Sequence, residues 1–149
     1  MDTKVFFTYP GVQTEASEPT SGFLNDASER EWNILLSYVH TRHLRSGETL
    51  FTEGDLDRAL YLLTIGQLEQ SSQRTPAAAV DAPGPLNELA FLDGGRCPTT
   101  ARAAGAAEVL RLSYDAFESM AAREPVLARR ILLALAGNLA RRLRSAQVP

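Results

Sequence analysis

Apolar residues recur at helical spacing near both ends of the chain, with a different pattern between. The first stripe consists of Trp32, Leu35, Leu36 and Val39. This spacing of three to four residues predicts a helix at about 28–38. Asn25, Asp26 and Ser28 offer N-caps for that helix.

Between residues 40 and 113 the apolar runs are short and are separated by turns. The runs are HTRHL, ETLFT, RALYLLTIG, QLEQS, AAAV, TTARA and AEVLRLS, and the turns include RSGE, TEGDLD and SSQRTP. Such regular spacing predicts the strands of an all-β sandwich or barrel. The runs lie too close together for helical crossovers between parallel strands.

The helical period returns after Ser113. Tyr114, Phe117 and Met120 share one face of a predicted helix, and Asp115 lies in its first turn. Pro125 suits the first turn of a second helix about 20 residues long. The apolar face of that second helix contains Leu132, Leu135, Leu139 and Leu143, with Ile131 beside it.

Residues 1–22 carry two prolines and two glycines among Ser, Thr and Glu, a composition typical of an arm. The aromatic residues Phe6, Phe7 and Tyr9 predict that this arm docks on a surface, because disordered segments contain few aromatics. The predicted organisation is an arm at 1–22 and one domain at 23–149, with a barrel at about 41–113 and C-terminal helices at about 114–147.

The composition bounds the class of protein. At 149 residues, with 44% hydrophobic and 22% charged residues, the chain suits one globular domain. Cys97 is the only cysteine, so no internal disulfide can form. Neither a secretory signal nor an apolar run of about 18 residues is present. We therefore expect a cytoplasmic protein without a membrane span.

The net charge of −3 is unevenly distributed. Residues 1–102 contain 14 acidic and 8 basic side chains, a sum of −6, whereas residues 103–149 contain 4 acidic and 7 basic ones, a sum of +3. The last predicted helix contributes five arginines: Arg129, Arg130, Arg141, Arg142 and Arg144. They suit either an acidic or nucleic-acid partner or the solvated face of an amphipathic helix, and the acidic balance of the whole chain favours the solvated face.

Three segments together resemble the cyclic nucleotide-binding domain family. GETLFTEGD at 47–55 is similar to its second and third strand region, LYLLTIGQLEQ at 60–70 to its next hairpin with Gly66 at the turn, and NELAFLDGGRCPTTARA at 87–103 to its phosphate-binding cassette. The resemblance covers about residues 23–146. It implies a mainly β fold with flanking helices: a double-stranded β-helix (jelly-roll) barrel with an N-terminal helix and two C-terminal helices.

The same resemblance implies the chemistry of a ligand site. In the family, a short helix directs backbone N–H groups at a cyclic phosphate, a glutamate accepts a hydrogen bond from the ribose 2′-hydroxyl, and an arginine pairs with the phosphate. Laid on this chain without gaps, the motif assigns the glutamate to Glu88 and the apolar helix turn to residues 90–92. The implied ligand-binding residues are Asn87, Glu88, Leu89, Ala90, Arg96, Cys97, Thr99 and Thr100.

Three positions depart from the family pattern. Asn87 stands where the family prefers glycine, Cys97 where it has arginine, and Pro98 where a small residue usually turns its N–H towards the phosphate. A thiol brings one weak donor, and proline brings no N–H. Losing a charged hydrogen bond of about 1.5–3 kcal/mol lowers affinity roughly tenfold to over a hundredfold. The expected ligand is therefore a cyclic nucleotide or a related small molecule, bound weakly.

Arg96 is the candidate that would restore the missing charge. A one-residue shift in the loop at 94–95 would bring its guanidinium near the position of Cys97. If the following strand extends back to residue 96, neighbouring side chains point to opposite faces, and Arg96 aims away from the pocket, as does Arg102. The sequence leaves both interpretations open.

Other polar residues have plainer interpretations. Glu88 could serve only as a local backbone cap, and Cys97 is expected to be a small buried hydrophobic residue rather than a reactive thiol. His40 and His43 are not expected to form a metal pair. Three carboxylates are expected to organise turns: Glu48, Glu53 and Asp55.

Two functions are favoured over a third, an enzyme of the metal-binding barrel type. An enzyme is not expected, because such barrels need several converging His or carboxylate ligands, which two histidines in an H-x-x-H spacing do not supply. The first is a non-catalytic regulatory module that senses a ligand with weakened or altered binding. The second is a pseudo-sensor scaffold that dimerises or binds a protein partner without any nucleotide. The resemblance implies a homodimer through residues 125–147. No cofactor is expected, and no DNA reader is expected, since the chain ends at Pro149 without a helix-turn-helix pattern.

Overall fold

The computed structural model describes residues 23–24 and 26–147 of the chain. Outside them lie Asn25, residues 148–149 and the predicted arm at 1–22 with its aromatic residues Phe6, Phe7 and Tyr9. The elements follow in the order α1 (Glu29–Leu36), β1 (His40–Leu44), β2 (Thr49–Phe51), β3 (Ala59–Ile65), β4 (Gln67–Ser71), β5 (Ala78–Asp81), β6 (Gly84–Leu86), α2 (Glu88–Asp93), β7 (Thr100–Ala103), β8 (Ala107–Ser113), α3 (Tyr114–Arg123) and α4 (Pro125–Gln147).

Helix α1 begins at a complete capping box. The Ser28 hydroxyl accepts a hydrogen bond from the Glu31 N–H, and the Glu31 carboxylate accepts one from the Ser28 N–H, both at 3.1 Å. These bonds satisfy donors that a helix start otherwise leaves free. The predicted helix is therefore confirmed, and it buries Trp32 and Leu35.

Eight strands of the described chain form two antiparallel four-stranded sheets. One sheet has the order β1-β8-β3-β6 and the other the order β2-β7-β4-β5. The predicted mainly β fold with flanking helices is confirmed, and β1, β4 and β8 have the bounds of the runs HTRHL, QLEQS and AEVLRLS. Among the described residues no strand of one sheet pairs with a strand of the other, so the jelly roll consists of two facing sheets rather than a closed barrel.

The sequence pattern did not predict strand β6. Its middle residue is Pro85, and proline normally argues against a strand because it has no N–H to donate. β6 lies at the edge of its sheet, where Leu86 pairs with Tyr61 of β3. An edge position tolerates the missing donor. The strand matters for the site because α2 follows it directly.

Strand β3 separates two hydrophobic cores. Tyr61 and Leu63 face the inner core between the sheets, whereas Leu60 and Leu62 face the outer core beneath the helices, as the two-residue period of a strand requires. The inner core also contains Phe51, Leu68, Leu86 and Val109, and the outer core contains Trp32, Phe117, Ile131 and Leu135.

The turns between strands are built by residues that the sequence singled out. Gly66 has a φ of 91°, and a Cβ there would lie 2.4 Å from the Ala106 carbonyl oxygen, so only glycine fits. The predicted turn-forming carboxylates are confirmed: Glu48 accepts from the Arg45 N–H, Asp55 from the Thr52 N–H, and Glu53 from the Gln73 N–H.

Helix α4 packs through a face offset from the predicted one. Its buried residues are Leu127, Ala128, Ile131, Leu135 and Asn138. Of the predicted stripe, Leu132 is 40% exposed and Leu143 is 61% exposed, so neither lies in the core. Spacing alone cannot tell which of two adjacent apolar stripes faces the sheet. Neither α4 nor any other described helix is both long and apolar enough to cross a bilayer.

Two arginines of α4 are tied to the rest of the domain. Arg130 pairs with Asp26 at 2.7 Å and with Glu31 at 2.8 Å, which joins α4 to α1. Arg142 pairs with Glu88 of α2. The favoured prediction of a solvated basic face therefore did not include the ion pairs of these two residues, although the Arg142 side chain is 55% exposed.

Candidate functional site

The cassette segment begins with Asn87 in a left-handed backbone conformation. Its φ of 65° and ψ of 28° are values that glycine adopts freely and that asparagine tolerates better than most residues. The Asn87 side chain donates from Nδ2 to the carbonyl oxygens of Asp57 and Ala59, each at 2.9 Å, and the residue is 3% exposed. Asn87 thus has a backbone conformation that glycine, the residue that the resemblance implies at this position, would also adopt. Its side chain links the start of α2 to the start of β3.

Arg58 holds the opposite end of α2. Its Nε and Nη2 donate to the carbonyl oxygens of Phe91 and Leu92, each at 3.0 Å. Its guanidinium lies over the Tyr114 ring, 3.5 Å from the ring centroid. These donors satisfy carbonyls that a helix end leaves free. Sequence analysis missed Arg58, since no local pattern places it 33 residues away at the end of α2.

Glu88 presents a buried carboxylate at the start of α2. Its side chain is 5% exposed, and Arg142 Nη2 lies 2.5 Å from its Oε1. Burial raises the pKa of Glu88, and the nearby Arg142 charge and a backbone hydrogen bond oppose that rise. The Arg142 side chain is 55% exposed, so one partner is desolvated while the other remains at the surface.

Cys97 occupies a buried position between the two aspartates of the loop before β3. Its N–H donates to the Asp55 carbonyl and its own carbonyl accepts from the Gly54 N–H, both at 2.9 Å. The residue is 2% exposed, which confirms the expected small buried residue. Burial raises the pKa of the Cys97 thiol, and the charges of Asp57 and Asp55 raise it further. The thiol is therefore neutral near pH 7 and lies in a negative environment.

Arg96 lies on the exposed side of the same segment. Its Nη1 donates to the Gly54 carbonyl oxygen at 2.9 Å, whereas Cys97 is buried in the inner core. The one-residue shift that would exchange these two side chains is not observed. Arg102 is exposed as well, in agreement with the shared parity of residues 96 and 102.

The remaining predicted ligand residues differ in accessibility. Ala90 is buried, Leu89 is 48% exposed, and Thr99 and Thr100 are half-buried. The Thr100 hydroxyl accepts a hydrogen bond from the Glu53 N–H at 2.8 Å, which joins β7 to the turn after β2. The structure thus brings together Asn87, the residue before α2, and Glu88, Leu89 and Ala90 of α2. It places Cys97 beside the loop that Asn87 contacts.

A polar cluster that sequence analysis missed lies near Cys97. Arg111 of β8 donates to Asp57 at 2.8 Å and to the Tyr61 hydroxyl at 3.2 Å, and that hydroxyl donates to Asp57. Burial and the Asp57 hydrogen bond raise the pKa of Tyr61 to about 12. The sequence does contain a signal for Arg111: residues 107, 109 and 111 share one face of the run AEVLRLS, so Arg111 lies on the same side of the strand as two apolar residues. The Arg111 charge is offset by Asp57.

A cleft of about 580 Å³ opens beside the Glu88–Arg142 pair. It lies between β5, the turn to β6 and the C-terminal half of α4, and its walls include Val80, Asp81, Pro83, Asn138, Arg141 and Arg142. Arg142 is the member of the pair that lines this cleft, and its side chain is 55% exposed.

The two histidines do not converge. His40 and His43 lie three residues apart on β1, so their side chains point to opposite faces of the strand, and both residues are exposed. Among the described residues no group of three or more His, Cys, Asp or Glu side chains is arranged to hold a metal ion.

The family model described as the cyclic nucleotide-binding domain matches residues 41–124. A curated relative, the cyclic AMP receptor protein of Thermus thermophilus, is 32% identical over 135 residues, which cover 86% of this chain and 60% of the relative. The chain therefore spans about three fifths of the length of that relative.

Solved structures give the same indication. The catabolite activator protein of Thermus thermophilus matches with a TM-score of 0.71 and 29% identity, covering 85% of this chain and 60% of that chain. A cyclic nucleotide-binding domain from Methylobacillus flagellatus matches with a TM-score of 0.72 and 26% identity, covering 79% of this chain and 69% of that one.

Proposed function

The chain belongs to the cyclic nucleotide-binding domain family, and on that premise we propose that it is a non-catalytic regulatory module whose ligand site includes Glu88 and Cys97. The proposed ligand is a cyclic nucleotide, because the chain is similar to a cyclic AMP receptor protein. The module binds this ligand weakly. Leu89, Ala90, Thr99 and Thr100 remain predicted contacts.

The observation that carries the weakened binding is the environment of Cys97. A buried neutral thiol beside Asp55 and Asp57 offers no positive charge to a phosphate. Loss of a charged hydrogen bond worth about 1.5–3 kcal/mol corresponds to roughly tenfold to over a hundredfold in affinity. Pro98 removes a further backbone donor.

Neighbouring arginines do not supply the missing charge. Arg96 is directed at the Gly54 carbonyl on the exposed side of the segment. Arg111 is engaged by Asp57 and Tyr61. In the described structure neither guanidinium is therefore free to pair with a phosphate beside Cys97, which supports weak rather than family-like affinity.

Self-association through α4 is part of the proposal. Leu132 and Leu143 are exposed and Leu139 is half-buried, and the three lie within about 40° of one another around a helix. We refer to these three residues as the leucine stripe. It lies beside the face that packs on the domain, so a second copy of the chain can cover it without disturbing the core.

Calorimetric titration tests the proposed ligand class. The purified chain is titrated with cyclic AMP, cyclic GMP and a cyclic dinucleotide, each up to millimolar concentration. Saturable binding in the high-micromolar range supports the sensor. Absence of heat for every nucleotide supports the second function, a scaffold that dimerises or binds a protein partner. The ion pair between Glu88 and Arg142 favours this second function, because Glu88 already has a partner without a ligand.

A further inference from the structure

We propose that Arg142 is an intramolecular occupant of the ligand site, an inference that rests on the proposed function. Its guanidinium takes the place on the Glu88 carboxylate that a ligand hydroxyl would take. Ligand and α4 therefore compete for one carboxylate.

The geometry of the pair supports competition rather than a fixed structural bond. The Glu88 carboxylate is 5% exposed and needs a donor, since a buried unpaired charge is strongly unfavourable. Arg142 supplies that donor at 2.5 Å while keeping 55% of its own side chain exposed. A ligand hydroxyl can replace the guanidinium at Glu88, and the released Arg142 then returns to water at little desolvation penalty.

The pair also joins two parts of the domain that are 54 residues apart. The residues of α4 that pack in the core end at Asn138, and residues 140–146 are all exposed. We refer to residues 140–146 as the α4 tail. Within this tail, Arg142 forms an ion pair with Glu88 of α2, so its release by a ligand removes a contact that holds the tail.

The same segment carries one end of the leucine stripe. Leu143 follows Arg142 directly and is 61% exposed. When a ligand displaces Arg142 and the α4 tail loosens, Leu143 of the proposed dimer surface loosens with it. The pair thereby couples ligand occupancy to the surface that would contact a second copy.

The first test is calorimetry with cyclic AMP on Arg142→Gln, with Arg144→Gln as the matched control. Arg144 carries the same charge two residues further on and forms no ion pair with the described residues. We expect Arg142→Gln to bind about tenfold more tightly and Arg144→Gln to bind within about twofold of wild type. General electrostatics predicts the opposite sign, because removal of a positive charge weakens binding of an anion. Unchanged or weaker binding by Arg142→Gln overturns the inference.

The second test needs no ligand. Amide hydrogen exchange of the α4 tail should accelerate at least threefold in Arg142→Gln and in Glu88→Gln, and should stay at the wild-type rate in Arg144→Gln. Equal exchange in all four proteins overturns the inference even if nucleotides bind. If no protein binds any nucleotide, the proposed function fails and competition for Glu88 fails with it, while exchange still decides whether the pair holds the α4 tail.

Discussion

The side-chain amide of Asn87 donates a hydrogen bond of 2.9 Å to the carbonyl oxygen of Ala59, the first residue of β3. Asn87 has a left-handed backbone conformation, and its amide also reaches the Asp57 carbonyl. One residue therefore sets the backbone turn before α2 and anchors it. Asparagine can do both because it tolerates a positive φ and carries a donor that glycine lacks.

Asn87→Ala should lower the free energy of unfolding by about 2–4 kcal/mol, since it loses two buried hydrogen bonds and places an alanine at positive φ. Asn87→Gly should lower the free energy of unfolding by about 1 kcal/mol less than Asn87→Ala. Glycine relieves the strain of a positive φ, but it does not restore the two hydrogen bonds. Urea denaturation of the three proteins measures both differences. A glycine variant less stable than the alanine variant would contradict this account.

Cys97→Arg should raise affinity for a cyclic nucleotide by about tenfold or more, because it returns a charged donor to the cassette. Asp55 and Asp57, which raise the pKa of the Cys97 thiol, also favour a cation at this position. Cys97→Met is the control for size without charge and should leave affinity unchanged. Calorimetry measures affinity, and thermal unfolding verifies that each variant folds. A folded arginine variant with wild-type affinity would show that the loop, rather than the thiol, weakens binding.

The contribution of Glu88 to stability should decrease as pH rises. Its pKa is raised in the folded protein, so between the ordinary glutamate value of about 4.3 and the raised value the folded state binds more protons than the unfolded state. That contribution is fully present below the unfolded pKa and is lost as pH passes the folded pKa. Denaturation of wild type and Glu88→Gln from pH 4 to 8 should show the unfolding free energy of wild type falling relative to that of the variant as pH rises.

A control isolates this titration from the general charge of the protein. Glu118→Gln removes an exposed carboxylate of α3 and should track the wild-type pH profile. A wild-type protein that gains stability relative to Glu88→Gln as pH rises would reverse the sign argued from burial.

The double variant Leu132→Ser/Leu143→Ser should convert a dimer to a monomer, because it removes two exposed apolar side chains of the leucine stripe. Leu133→Ser is the matched control, since Leu133 is also exposed but lies about 100° around the helix from Leu132. Sedimentation at several protein concentrations measures the state. Wild type that is monomeric at every concentration would remove the proposed dimer.

Local patterns determined most of the secondary structure. The alternation in AEVLRLS sets the bounds of β8, and the apolar spacing after Ser113 sets α3, because each depends on neighbours within a few residues. Ser28 and Glu31 similarly define the start of α1. The cassette resemblance also predicts Asn87, Glu88 and Cys97 as site residues, because residue order is a local property.

Only the tertiary structure decided which distant groups meet. It pairs Glu88 with Arg142, engages Arg111 with Asp57, and turns the Ile131 side of α4 inward while Leu132 stays exposed. Each outcome depends on the packing of α4 and the register of β8 against the rest of the domain, which no short segment contains. Local periodicity therefore determined the helices and strands. Long-range packing determined which charged groups pair at the site and which leucines of α4 remain exposed as the leucine stripe.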